Sequence, residues 1–190
     1  MRRLILAVLM INLILLCGCG STARDEAGIH TLRERLQSCS ALSFQMELAA
    51  DDGTYVSEYK LQCCWQDDEM RMQLLEPQLI SGLAAYVRDG STLLEYDSLS
   101  LEAGTIDGES LSPIAVPAAV LEALRQGMIT QVRRVNLQNE CIAFRVIQTE
   151  QRCVDFWLDA QSFAPLRAEL LVGERVAAIC GISDWNLEEG

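Results

Sequence analysis

Lysine and histidine are nearly absent: Lys60 and His30 occur once each among 190 residues, and proline only four times. Fifteen Lys+Arg stand against 27 Asp+Glu, a net charge of −12. That balance excludes nucleic acid as a partner, because binding phosphates requires clustered cations that displace counterions. With a single lysine, a polybasic membrane patch is excluded as well. One histidine rules out any site built on two imidazoles; His30, near the start of a helix, reads as a solvated residue. Catalytic and metal motifs are missing too: no Gly-x-Ser-x-Gly elbow, no His-Glu-x-x-His, no phosphate loop, no EF-hand loop, no Cys-x-x-Cys. Asp155 and Asp159 fall four apart on a strand, on one face with Cys153 and Trp157, which reads as a half-exposed outer surface rather than an acid–base pair. A non-enzymatic protein with neither cofactor nor metal is expected.

What is present supports a folded chain. Half the residues are hydrophobic and 22% charged, a composition for a core rather than a disordered tail. The length suits one domain.

Met1-Arg2-Arg3 precedes an apolar run from Leu4 to Leu16, interrupted only by Asn12. Thirteen helical residues rise ~20 Å, short of a ~30 Å hydrocarbon core, so a secretory signal fits better than a membrane span. Leu16-Cys17-Gly18-Cys19 resembles the bacterial lipobox, in which a small residue precedes a lipidated cysteine; bulky Leu16 disfavours Cys17. The expected boundaries are a lipoprotein signal peptide over 1–18, a lipidated tether over 19–28 beginning at Cys19, and a domain over 29–190. The resemblance implies a diacylglyceryl thioether, usually with a third chain on the new amino terminus. Several acyl chains anchor stably, since each buried methylene adds ~0.8 kcal/mol. Loss of Arg2 and Arg3 takes the charge from −12 to −14, so lipid rather than charge must attach the body to the extracytoplasmic face of the cell membrane, or to the outer membrane of a two-membrane cell.

In the mature chain, Leu32 and Leu36 mark a short amphipathic helix over Thr31–Ser38. From Leu42 the period becomes two. Leu42, Phe44, Met46 and Leu48 alternate with polar residues, Asp51-Asp52-Gly53 signals a hairpin, and alternation continues over Tyr55–Trp65, Met70–Leu74, Leu79–Val87 and Thr92–Tyr96. Ser112–Pro117 introduces a second helix over Ala118–Gln126, ended by Gly127. Strands return over Thr130–Leu137, Cys141–Thr149, Cys153–Asp159, Ala164–Val172 and Arg175–Trp185. The fold class is α+β: about 10–11 antiparallel strands in a sheet that curls to bury one face.

Several landmarks occur in order: Leu32–Leu36 leading into Phe44-Gln45; Asp52-Gly53; Leu75-Glu76-Pro77; Tyr86 to Tyr96 around Asp89-Gly90; Trp157-Leu158-Asp159; and Pro165-Leu166-Arg167-Ala168-Glu169. This order resembles the LolA/LolB-like lipoprotein-carrier superfamily, including anchored members such as the clostridial germination lipoprotein GerS. The resemblance implies an open half-barrel covered on its concave side by helices, and a lipid, a lipoprotein acyl chain or an envelope protein as partner. Two departures are visible. The Arg-Pro pair of the soluble carrier is replaced by the acidic turn Trp65-Gln66-Asp67-Asp68-Glu69, and no single Leu is expected to protrude between strands.

The period-two reading places Phe44, Met46, Leu61, Trp65, Met70, Met72, Leu74, Leu83, Phe144, Val146, Phe156, Leu158 and Leu170 on the concave face. They form either a hydrophobic groove for acyl chains or a dry core beneath the helices. A docking platform without ligand is the alternative function. Cys39, Cys63, Cys64, Cys141, Cys153 and Cys180 are either buried thiols or partners in disulfides; Cys63 and Cys64, adjacent on a strand, point to opposite faces.

Overall fold

A computed structural model describes residues 20–105, 112–137 and 139–189; the expected signal peptide and Cys19 lie outside them. Among these residues two α-helices, α1 (Gly20–Ser38) and α2 (Val116–Gln126), accompany eleven strands. The strands are β1 (Cys39–Asp51), β2 (Val56–Gln66), β3 (Glu69–Glu76), β4 (Ala84–Arg88), β5 (Ser91–Tyr96), β6 (Leu99–Thr105), β7 (Met128–Asn136), β8 (Glu140–Ile147), β9 (Arg152–Asp159), β10 (Pro165–Val172) and β11 (Arg175–Glu189).

They form one antiparallel sheet in the order β6-β5-β4-β3-β2-β1-β11-β10-β9-β8-β7. Strand β1 joins the halves by pairing with both β2 and β11, and among the described residues β6 and β7 are the edge strands. The expected architecture is therefore present: a large curled sheet, not closed, with helices over its concave face.

Turn chemistry fixes the register. At the β1–β2 turn the Asp51 carboxylate accepts the Gly53 N–H at 2.7 Å, and the Asp52 carboxylate accepts those of Thr54 and Tyr55 at 2.8 and 2.9 Å. Gly53 adopts φ +91°, a conformation that costs glycine little. In-register pairing then brings Phe44 opposite Cys63, Leu61 opposite Leu74 and Phe144 opposite Phe156.

Helix α1 differs from expectation. Residues 20–28, read as a polar tether, are helical and continuous with the rest of α1. Asp25, Ile29, Leu32 and Leu36 recur at helical spacing, and each is at most 5% exposed. Asp25 is held by a two-pronged bond from Arg134, Nε–Oδ2 at 2.8 Å and Nη2–Oδ1 at 2.7 Å, and Arg134 also donates to Glu140 at 2.9 Å. His30 therefore lies mid-helix, exposed to solvent.

The aromatic ring of Phe163, itself at φ +59°, occupies the space where a side chain on Gly28 would start. Gly28→Ala is therefore expected to destabilise the protein by roughly 1–3 kcal/mol of overpacking. In a Phe163→Ala background the same change should stabilise by up to ~1 kcal/mol, the helix preference of Ala over Gly. Denaturant melts of the four proteins check the reversal of sign.

Helix α1 also clasps the end of α2. Arg33 donates to the Gly127 carbonyl at 2.6 Å and Gln37 to that of Arg125 at 3.1 Å, satisfying carbonyls that a helix end leaves free. Beneath both helices Val116, Val120, Leu121 and Leu124 meet the inner sheet face in one continuous core.

Candidate functional site

All thirteen residues expected on the concave face share one cluster. Eleven of them are at most 4% exposed, and Trp65 and Leu83 are partly buried against the rest. Phe144 stacks on Phe156 with centroids 5.4 Å apart. The Arg125 guanidinium, carried on α2, covers the Trp65 ring at 4.1 Å, a favourable cation–π arrangement. Over most of its length the concave face is filled by helix side chains.

Open apolar volume remains toward one end. Leu48 of β1, Tyr59 and Leu61 of β2, Leu74 of β3, Ile80 and Leu83 of the β3–β4 connection, and Ser112, Pro113 and Ile114 ahead of α2 surround a pocket of ≈ 170 Å³. That is close to the ~150 Å³ engineered apolar cavity that stays dry and accepts benzene, and below the ~300–1,000 Å³ of drug-sized sites. It fits the end of an acyl chain or one large apolar side chain. A larger depression of ≈ 540 Å³ lies where Glu47, Glu58, Lys60 and Glu76 meet; its carboxylates and wide opening make it a solvated surface.

The β3–β4 connection departs from the expected strand over Leu79–Val87. Gln78–Ile80 forms a 3-10 turn and β4 begins only at Ala84. Pro77 offers no N–H to a ladder, and Gly82 turns the chain at φ +90°, with its N–H and that of Leu74 closing onto Leu74 and Leu83 carbonyls at 3.0 and 2.9 Å. The result is Leu79 at 88% exposure beside Ile80, which lines the pocket. A protruding Leu, not expected from the sequence, is thus present. Of the expected groove residues only Leu61, Leu74 and Leu83 line the pocket. Leu48 and Tyr59 carry a signal in their alternation; Ile80, Pro113 and Ile114 come from connections, which periodicity does not place.

The outer-face carboxylates are engaged. Asp155 binds Arg145 through both oxygens, at 2.6 and 2.7 Å. Asp159 accepts the Ser162 N–H and hydroxyl, both at 2.8 Å, and the Gln161 N–H at 3.1 Å, which hold its carboxyl below the usual range.

The six described cysteines are free thiols, and Cys63 is buried while its neighbour Cys64 is partly exposed. Burial pushes the Cys63 thiol up, and that of Cys180 up to about 12. Since the thiolate is the reacting species, native-state alkylation at pH 8 followed by peptide mass mapping is expected to label Cys64 well before Cys63 or Cys180, with all six modified after unfolding.

No family profile and no curated protein matches the chain. Solved structures do resemble it. An uncharacterized conserved protein from Thermus thermophilus is 10% identical, with 87% of this chain and 89% of that chain covered at a TM-score of 0.51. A putative outer membrane lipoprotein-sorting protein domain from Vibrio parahaemolyticus is 11% identical over 87% and 94%, TM-score 0.46. A LolA superfamily protein from Nitrosomonas europaea is 12% identical over 85% and 94%, TM-score 0.40. The Thermus likeness is one of fold, and at such identities no activity passes from one protein to the other.

Proposed function

We propose that the protein is a non-enzymatic extracytoplasmic lipoprotein, anchored through lipidated Cys19 after removal of residues 1–18. In this reading the pocket at the β3–β4 end of the half-barrel takes the end of an acyl chain, from a lipid or a lipoprotein. The observation that carries the reading is the apolar pocket bordered by Ile80 on a turn that also presents Leu79. Burying four to six methylenes contributes roughly 3–5 kcal/mol, and covering Leu79 a further ~1.5–3 kcal/mol. Together these correspond to dissociation constants from about 0.5 mM to the micromolar range. The test is titration of residues 20–190, which hold every described element, with a dansyl-labelled fatty acid. Saturable one-site binding is expected; no saturable binding, or binding unaffected by side chains lining the pocket, would remove the reading.

A second reading rests on the same closed core. The strand β6 presents Leu99 and Leu101 at 75% and 65% exposure on an edge that no other strand among the described residues pairs with, a surface suited to a protein partner. This is the platform function, similar to that of the germination lipoprotein. Capture of one defined envelope protein, lost on Leu101→Lys with acyl binding absent, would favour it.

A further inference from the structure

Successive antiparallel strands place their turns alternately at two rims of the half-barrel. The β2–β3, β4–β5, β7–β8 and β9–β10 turns lie at one rim, and the β1–β2, β3–β4, β8–β9 and β10–β11 turns at the other. Helix α1 belongs to the first rim at both ends. Near its start Asp25 is tied to Arg134, and through it to Glu140, beside the β7–β8 turn, while Phe163 of the β9–β10 turn covers Gly28. Near its end Arg35 pairs with Glu189, at the close of β11, at 3.2 Å. The acyl pocket, with Leu79 and Ile80 on the β3–β4 connection, lies toward the opposite rim.

We infer that the lipid anchor holds the domain in one fixed pose, the β7–β8 and β9–β10 rim against the bilayer and the pocket directed away from it. The inference rests on the proposed lipidation of Cys19. Were residues 19–28 a free coil, they would reach up to ~33–36 Å and leave orientation open. As helix, the five steps from Gly20 to Asp25 rise only ~7.5 Å, and Asp25 is a buried carboxylate fastened by two short bonds. Cys19 directly precedes Gly20, the first residue of α1, in sequence, so only a short stretch of chain separates the anchor from the Asp25–Arg134 tie. Leu137, 62% exposed in the β7–β8 turn, is then the apolar side chain presented to the membrane. An acyl chain enters the pocket from a partner or another membrane, not from the leaflet that holds the anchor.

The test uses the full chain, purified with its lipid and reconstituted into vesicles of phosphatidylethanolamine and phosphatidylglycerol. A photoreactive benzoylphenylalanine replaces either Leu137 or Leu79; both are exposed, so neither change disturbs the core. Severalfold more lipid adducts are expected from position 137 than from position 79, and a flexible Gly/Ser insertion directly after Cys19 should abolish the difference. Equal adducts, or more from position 79, in chains whose intact mass includes the acyl groups would overturn the fixed pose while leaving lipidation standing. Absence of acyl mass on Cys19 would overturn the lipidation and the pose together.

Discussion

Phe156→Ala is expected to destabilise the protein by ~3–5 kcal/mol, the range for truncating a buried aromatic. Phe156 is fully buried on β9, pairs with Phe144 across the β8–β9 ladder and stacks on its ring. At about 2–4 °C per kcal/mol for a chain of this size, the thermal midpoint should fall by roughly 6–20 °C. The size of the loss distinguishes two roles for the concave face. An empty ligand groove would expose Phe156 to water, and its removal would cost little in the free protein. A filled core leaves a cavity behind, because neighbouring side chains relax only in part. Thermal melts of the ligand-free protein decide between them; a loss near zero would contradict the packing of α1 and α2 described above.

Leu83→Trp is expected to have the opposite profile, with acyl affinity falling at least about tenfold, ~1.4 kcal/mol, and little change in stability. Leu83 is only partly buried, so a larger ring finds space toward the opening rather than in the packed interior. The space it takes belongs to a pocket of ≈ 170 Å³, too small to lose a ring's volume and still admit several methylenes. Leu158→Met serves as the contrast: it conserves volume in the core, costs under about 1.5 kcal/mol, and should leave binding as it was. Dansyl fatty-acid titrations beside melting curves measure both quantities on the same samples.

The strands are legible in the sequence because one face of the sheet is buried and the other is wet, which writes hydrophobic alternation directly into the chain. Asp51-Asp52-Gly53 and Asp89-Gly90 mark hairpins through local turn chemistry that needs no tertiary context. Strand β6 is hidden because Leu99 and Leu101 alternate over a short stretch and follow Asp97-Ser98, a turn without glycine. The first half of α1 is hidden for a different reason. Gly20 to Gly28 is small and polar, with little helical preference of its own, and the contacts that hold it, Asp25 to Arg134 and Gly28 to Phe163, join residues more than a hundred positions apart. The inner face of the sheet is readable as a set of residues, yet its use is not. Periodicity reports which side chains turn inward, whereas the pocket depends on where the connections carrying Ile80 and Ile114 come to rest.

An acyl chain is expected to meet the rim pocket and leave the packed interior untouched. Methyl NMR of residues 20–190 titrated with decanoate reads both regions in one experiment. Saturable shifts are predicted at Leu48, Leu61, Leu74, Ile80, Leu83 and Ile114, with Leu158 and Leu170 unmoved. Shifts spreading through Leu158 and Leu170, or no saturable shift at any of these methyls, would contradict that expectation.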